Sequence, residues 1–224
     1  MEGSGDKRLI ALAVFALIAV GVVAAILIGR SGGGGSTTTA SAAGCRQVEA
    51  PQPKSVSYRA PRQTVKKGEK LTAVVKTSCG AFEIALDTTR APKTVNSFAF
   101  LSRQGFYDDL TFHRIAPGFV IQGGDPLGNG TGGPGYSVDE KPPANLSYTK
   151  GVVAMAKGSA EPPGRSGSQF FVVLGANSGL PPEYALVGRV SRGLDVVERI
   201  GKLGTPAEKP KQTILIEKIT IEKG

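Results

Sequence analysis

The sequence predicts a mainly β fold: short strands closed into a barrel, with α-helices over its ends. Several short runs alternate apolar and polar residues with a period of two, the pattern of a half-buried strand. The 31 glycines and 15 prolines sit mostly between those runs, where turns are needed. Two segments, one early and one late, repeat apolar residues at helical spacing instead.

The elements follow in order. LTAVVKTSCGAFEIALD, from Leu71, reads as two strands about a turn at Ser78-Cys79-Gly80, with Phe82, Ile84 and Leu86 on one face. DTTRAPKTVNSFAFLSRQGFY then places Val95, Phe98 and Leu101 on one side of a helix, with Thr89 as its expected N-cap and Gly105 as its stop. Further strands are expected at 111–115, 119–123, 152–156, 170–174 and 186–190. LDVVERIGKL fits a second amphipathic helix with Leu194, Val197 and Ile200 aligned, and ILIEKITIEK a last strand. No internal repeat is visible.

The amino-terminal part has a different character. Leu9 to Ile28 are 20 residues without a charge, enough to cross a bilayer core as a helix. Lys7 and Arg8 precede the stretch, so residues 1–8 are expected in the cytoplasm and the remainder outside. A cleaved signal has a shorter apolar core of about 7–15 residues, which favours an uncleaved anchor in the cell membrane. Ala42-Ala43-Gly44-Cys45 loosely resembles a lipidation site, but Cys45 stands well past the apolar stretch. Residues 29–66, rich in Gly, Ser and Thr at first and then in Pro, are expected to be a flexible linker to a domain at 67–224. Outside the membrane, Cys45 and Cys79 could form a disulfide tying the tether to the first hairpin; an inside location would leave two thiols.

The formal charge of +9 comes from scattered Lys and Arg with no aromatic-studded basic stripe, so a solvated surface is expected and nucleic acid is not. One histidine and two cysteines have no metal-ligand spacing, and no metal is expected.

FHRIAPGFVIQGGDPLGNGTGGPGY, residues 112–136, concentrates the chemistry. Its glycines lack both a Lys-Ser/Thr pair and the strand–GxGxxG–helix setting, which argues against a nucleotide site. His113 could activate a serine, but no GxSxG elbow occurs and nothing marks an orienting acid. FHRIAPGFVIQGGD resembles instead the signature strand of the cyclophilins, the peptidyl-prolyl cis–trans isomerases. GTGGPGY, GVVAMA, GSQFFVVLG and YALVGRVSRGLDVVERI continue the resemblance in order, so that it covers roughly Leu71 to Lys223.

The resemblance implies an eight-stranded antiparallel barrel with two capping helices, an isomerase that needs no cofactor, and proline-containing polypeptides as partners. It also implies the site. Arg114 corresponds to the catalytic arginine, His113 to the histidine beside it, and Gln122 to the polar residue that holds the substrate backbone. Phe119 and Val120 correspond to the wall of the proline pocket, Phe171 to its floor, and Leu180 and Tyr184 to its far rim. Gly130 belongs to the glycine loop. Ala156, Lys157 and Gly158 correspond to the segment along which the peptide lies, and Gln169 returns to the pocket. On hydrophobicity alone Phe119 and Phe171 would be core, and Gln122 and Gln169 could merely satisfy loop backbones.

Several positions depart from the family pattern. The chain has no tryptophan, and Ser178 or Gly179 stands where the pocket rim often has one, so weak cyclosporin binding is expected. Val120 replaces a common methionine, Lys157 an asparagine, and Tyr184 a histidine. SAEPPGRSG is longer and richer in proline than the usual turn and could alter which peptides enter. With the anchor, the implied function is X-Pro bond rotation in exported proteins; a non-catalytic, membrane-tethered proline-peptide binding module is the alternative.

Overall fold

Leu71–Thr77 (β1) and Gly80–Leu86 (β2) pair antiparallel, with Thr77 opposite Gly80 across the expected turn. The structure is a computed structural model and describes residues 44–224. The expected span at 9–28 lies outside the described residues; among those described, no helix is long and apolar enough to cross a membrane.

Helix α1 runs from Pro92 to Arg103, two residues later than a Thr89 cap would start it. Pro92 sits in the first turn, where its missing N–H removes no bond. Ala91, at the cap, offers no side-chain acceptor; the Glu140 carboxylate accepts from the Lys93 and Thr94 N–H groups instead, at 3.1 and 2.7 Å. Gly105, at φ 66°, ends the helical path as expected.

The strand expected at 111–115 breaks in two. Leu110–Thr111 (β3) and Arg114–Ala116 (β4) flank a corner at Phe112-His113. Val120–Gly123 (β5), Val152–Met155 (β7), Phe170–Val173 (β9), Leu186–Arg192 (β10) and Leu215–Lys223 (β11) complete one antiparallel sheet, and Leu194–Gly201 forms α2. The order is β3-β11-β1-β2-β10-β7-β9-β5-β4. Its two ends are the halves of one broken strand, so the sheet curls far round, yet no ladder joins β3 to β4. The closed eight-stranded barrel expected from the sequence is therefore corrected to a curled, open sheet of nine strands, because the corner spends one strand on both edges. Val138–Asp139 (β6) and Arg165–Ser166 (β8), too short to show a period, pair separately.

Burial follows the alternation. Ile115, Ile121, Val153 and Val172 lie in the main core with Phe82, Phe98 and Phe170. Val120, Ala154, Phe171 and Val173 belong to a second apolar cluster with Tyr148 and Leu186. β7 and β9 are thus buried on both faces, and the second cluster is the floor on which the site is built.

Residues 29–43 of the linker expected over 29–66 lie outside the described residues; from Cys45 onward the segment is docked. Cys45 and Val65 are buried, and Cys45 is disulfide-bonded to Cys79, 34 residues away. Between them the strap donates from Lys54 N–H to Pro126 O and from Tyr58 N–H to Pro134 O, both at 2.8 Å. The Tyr58 ring meets Phe100 and Phe106 edge-on. The Asn96 side-chain oxygen accepts from the Thr64 and Val65 N–H groups at 2.8 and 3.0 Å. Composition hid these backbone and single-residue contacts, which have no periodic signature.

Candidate active site

Strand register assembles the site. Arg114 on β4 stands opposite Gln122 on β5, which stands opposite Phe171 on β9, itself opposite Ala154 on β7. Directly opposed residues share a face, so this row places a cation, an amide and an aromatic ring side by side above the second cluster. Two residues along β5, Val120 lies on the same face as Gln122.

A pocket of about 180 Å³ opens there. Val120 and Phe171 form its buried floor; Phe119, Leu180 and Tyr184 stand half-buried around it, and Arg114, Gln122, Ala156 and Lys157 complete the lining. Phe171 and Tyr184 meet edge-on with centroids 5.5 Å apart, and the Arg114 guanidinium carbon lies 6.0 Å from the Phe119 ring centre. A second hollow of about 570 Å³ adjoins the first, sharing Gln122, Ala156 and Lys157, and is edged by Gly130, Gly158 and Gln169. Thirteen site residues were expected from the sequence, and the two hollows gather all of them except His113.

A chain of polar contacts holds the row. Arg114 Nη1 donates to Gln122 Oε1 at 3.0 Å, and Gln122 Nε2 donates to Gln169 Oε1 at 3.0 Å. Gln169 Nε2 in turn donates to the Gly130 and Gly132 carbonyls, each at 3.0 Å. Each amide uses its carbonyl toward one neighbour and its NH₂ toward the next, so donation runs in one direction, from the guanidinium to the carbonyls of the glycine loop. Lys157 is largely covered, its ammonium 5.6 Å from the Tyr184 ring centre and 3.4 Å from the Glu183 carboxylate.

His113 sits beside Arg114 but lines neither hollow. Both its ring nitrogens are buried and hydrogen-bonded to nothing among the described residues. Burial holds its pKa below the ordinary value, with Asp125 opposing the shift, so the ring is neutral near pH 7. Its place at the strand corner accounts for its burial.

Three supporting residues were not singled out in the sequence. Asp125 is buried and accepts from the Leu127, Asn129 and Gly130 N–H groups at 2.8, 2.9 and 2.5 Å, pinning the glycine loop. A Cβ at Gly132 would lie 2.1 Å from an Asp125 oxygen, so only glycine passes there. The Tyr148 hydroxyl donates to Tyr184 O at 2.6 Å and accepts from Tyr184 N–H at 2.9 Å, fixing the rim; burial pushes its pKa up to about 12. Glu208, far along the chain, pairs with Arg114 Nε at 2.6 Å. Asp125 had a local signal in the Asp-Pro-x-Gly turn; the other two had none.

The family described as "Cyclophilin type peptidyl-prolyl cis-trans isomerase/CLD" matches residues 72–221. "Peptidyl-prolyl cis-trans isomerase-like 1" of Gibberella zeae is 38% identical over 153 residues, covering 66% of this chain and 93% of the relative. "Peptidyl-prolyl cis-trans isomerase B" of Streptomyces anulatus is 37% identical over 174 residues, covering 69% and 98%. The crystal structure of a Cryptosporidium parvum cyclophilin type peptidyl-prolyl cis-trans isomerase, determined in the presence of the dipeptide Ala-Pro, aligns with a TM-score of 0.63 and 31% identity, over 68% of this chain and 99% of that one.

Proposed function

The chain belongs to the cyclophilin-type peptidyl-prolyl cis-trans isomerases, and we propose that it turns X-Pro bonds by holding the proline ring in the 180 Å³ pocket beneath Arg114. The observation that carries this is the guanidinium's position: tied to Gln122 on one side, it stands at the rim of a pocket of about 180 Å³ whose floor, Val120 and Phe171, is apolar.

Amide resonance opposes rotation by about 18–20 kcal/mol. Rotation breaks no covalent bond, so binding the twisted amide better than either planar form is sufficient. Twisting leaves the proline nitrogen pyramidal, with a lone pair that can accept a hydrogen bond. Arg114 supplies the donor, charged at any working pH. Its Nη2 has no hydrogen-bond partner among the described residues, which leaves a donor for that lone pair. Phe119, Val120, Phe171 and Leu180 grip the ring, and the Ala156–Gly158 edge lies where the preceding chain would run. An acceleration of about 10⁵-fold corresponds to about 7 kcal/mol of preferential binding of the twisted form. The Ala-Pro dipeptide present with the Cryptosporidium structure is a fitting probe. Measured by NMR on an Ala-Pro peptide, the full chain should accelerate cis–trans exchange and Arg114→Ala should lose most of it. A folded chain that binds the peptide without accelerating exchange would leave a binding module.

The same reading places the enzyme on the outer side of a cell membrane, acting on exported polypeptides. The uncharged stretch at 9–28 supports an anchor, and the Cys45–Cys79 disulfide supports an oxidising compartment. Protease treatment of intact cells should remove the domain; full protection would place it inside. Weak inhibition by cyclosporin also follows, since Gly179 leaves open space where the family's rim tryptophan would stand.

A further inference from the structure

The loop after α2 is hydrogen-bonded to β4 at two points, both through Glu208. Its carbonyl accepts from the Ile115 N–H at 2.9 Å, and its carboxylate accepts from Arg114 Nε at 2.6 Å. One residue thus holds the backbone next to Arg114 and the Arg114 side chain together. The loop is shaped for this contact. Thr205 N–H donates to Lys209 O and Glu208 N–H to Thr205 O, both at 2.9 Å, closing a tight turn. Gly204 passes so near β4 that a Cβ there would lie 2.5 Å from Ile115 O.

Glu208 has φ 59°, a left-handed conformation that side chains other than Gly, Asn and Asp rarely adopt. Such residues persist where surrounding structure holds them, and they gather at functional sites. The ion pair itself explains little as a stabiliser, because its side chains are 35% and 45% exposed and pairs that open to water contribute little. Geometry explains it better. A planar guanidinium held at one nitrogen still swings. Held at Nε by Glu208 and at Nη1 by Gln122, it has a fixed plane, and Nη2 is the nitrogen without a partner among the described residues.

We propose that Glu208 is a positioning residue for isomerisation: its carboxylate, carried on the left-handed turn after α2, locks the Arg114 plane so that Nη2 faces the proline pocket. This rests on the reading of Arg114 given above. The expected effect follows from misorientation alone, where a displacement of about 1 Å can cost up to about 100-fold; a swing about the remaining Gln122 contact is set at about tenfold.

The test uses the full chain and an Ala-Pro peptide, with exchange measured by NMR at several peptide concentrations to separate kcat from KM. Glu208→Gly removes the carboxylate and suits the left-handed turn; Glu208→Ala removes it with a Cβ retained; Glu208→Gln keeps an acceptor facing Nε without the charge. Glu208→Gly and Glu208→Ala should each lower kcat about tenfold with KM within about twofold. The Arg114 Nε–H, paired with Glu208 in the parent, should exchange with water faster in both variants than in the parent. Glu208→Gln should retain at least about half the parental kcat, a rescue that a purely structural role would not produce. Parental kcat in Glu208→Gly, or a Gln variant as slow as the Gly variant, overturns the positioning role. Failure of the parent chain to accelerate exchange overturns the isomerase reading and this one with it. A fast parent, a dead Arg114→Ala and a fast Glu208→Gly overturn this one alone.

Discussion

Breaking the Cys45–Cys79 bond should destabilise the domain without dismantling its site. The bond spans 34 residues, and the loop-entropy relation for a closed loop of that length gives about 12–13 cal/mol/K, or about 3.8 kcal/mol near room temperature. The effect acts through the unfolded chain, which gains freedom when the link is cut. In the folded state the strap keeps its other anchors, at Pro126, Pro134 and Asn96. For a domain of this size 1 kcal/mol moves Tm by about 2–4 °C, so the expected fall is about 8–15 °C. The assay is thermal unfolding followed by circular dichroism, with and without reductant, beside a Cys45→Ala/Cys79→Ala double variant that leaves no buried thiol. Isomerase activity at low temperature should change by less than about twofold. A Tm that falls by less than about 3 °C, with both thiols titrating as free, would refute the entropic account. The strap contacts would then hold residues 45–65 in the unfolded ensemble as well.

Other outcomes concern the groups behind the pocket. His113 has a folded pKa below its unfolded value of about 6.5 because burial disfavours the charged ring. The unfolded chain therefore binds more protons between the lowered value and about 6.5, and stability falls as pH drops through that window. Denaturant melts between about pH 7.5 and pH 5 should show a steeper loss in the parent than in His113→Gln; equal slopes would assign the loss to other groups. Activity should stay nearly flat from about pH 7 to 8, since the ring is already neutral there. Tyr148→Phe deletes the hydroxyl that both donates to and accepts from Tyr184. It should lower stability by about 1–3 kcal/mol and raise KM more than it lowers kcat, because Tyr184 shapes the rim and does not touch the rotating bond. An unchanged melting temperature and KM would show that Tyr184 holds its place without the hydroxyl.

Local pattern made much of the fold legible. Phe82, Ile84 and Leu86 marked a strand because alternation is a property of adjacent residues, and Leu194, Val197 and Ile200 marked α2 for the same reason. Where a partner from elsewhere decided the outcome, the pattern misled. Thr89 looked like the cap of α1, yet Glu140 caps it from 46 and 47 residues away. The run at 111–115 looked like one strand, yet it turns at Phe112-His113 so that its halves meet different neighbours, β11 and β5. That turn leaves the sheet curled and open instead of closed.

By itself the sequence determined the chemistry available: Arg114, Gln122, Phe119 and Phe171, in motifs whose order and spacing resemble the family's and whose alternation sets the face each residue takes. The tertiary structure alone decided how those groups are held. It brought the Gly130 and Gly132 carbonyls to Gln169, Tyr148 to Tyr184, and Glu208 to Arg114 across 94 residues. It also drew the tether from Cys45 to Val65 onto the domain. The physical reason is range: periodicity and turn chemistry act over a few residues and can be read locally. A hydrogen bond or ion pair between distant segments exists only after the sheet has curled and set their separation.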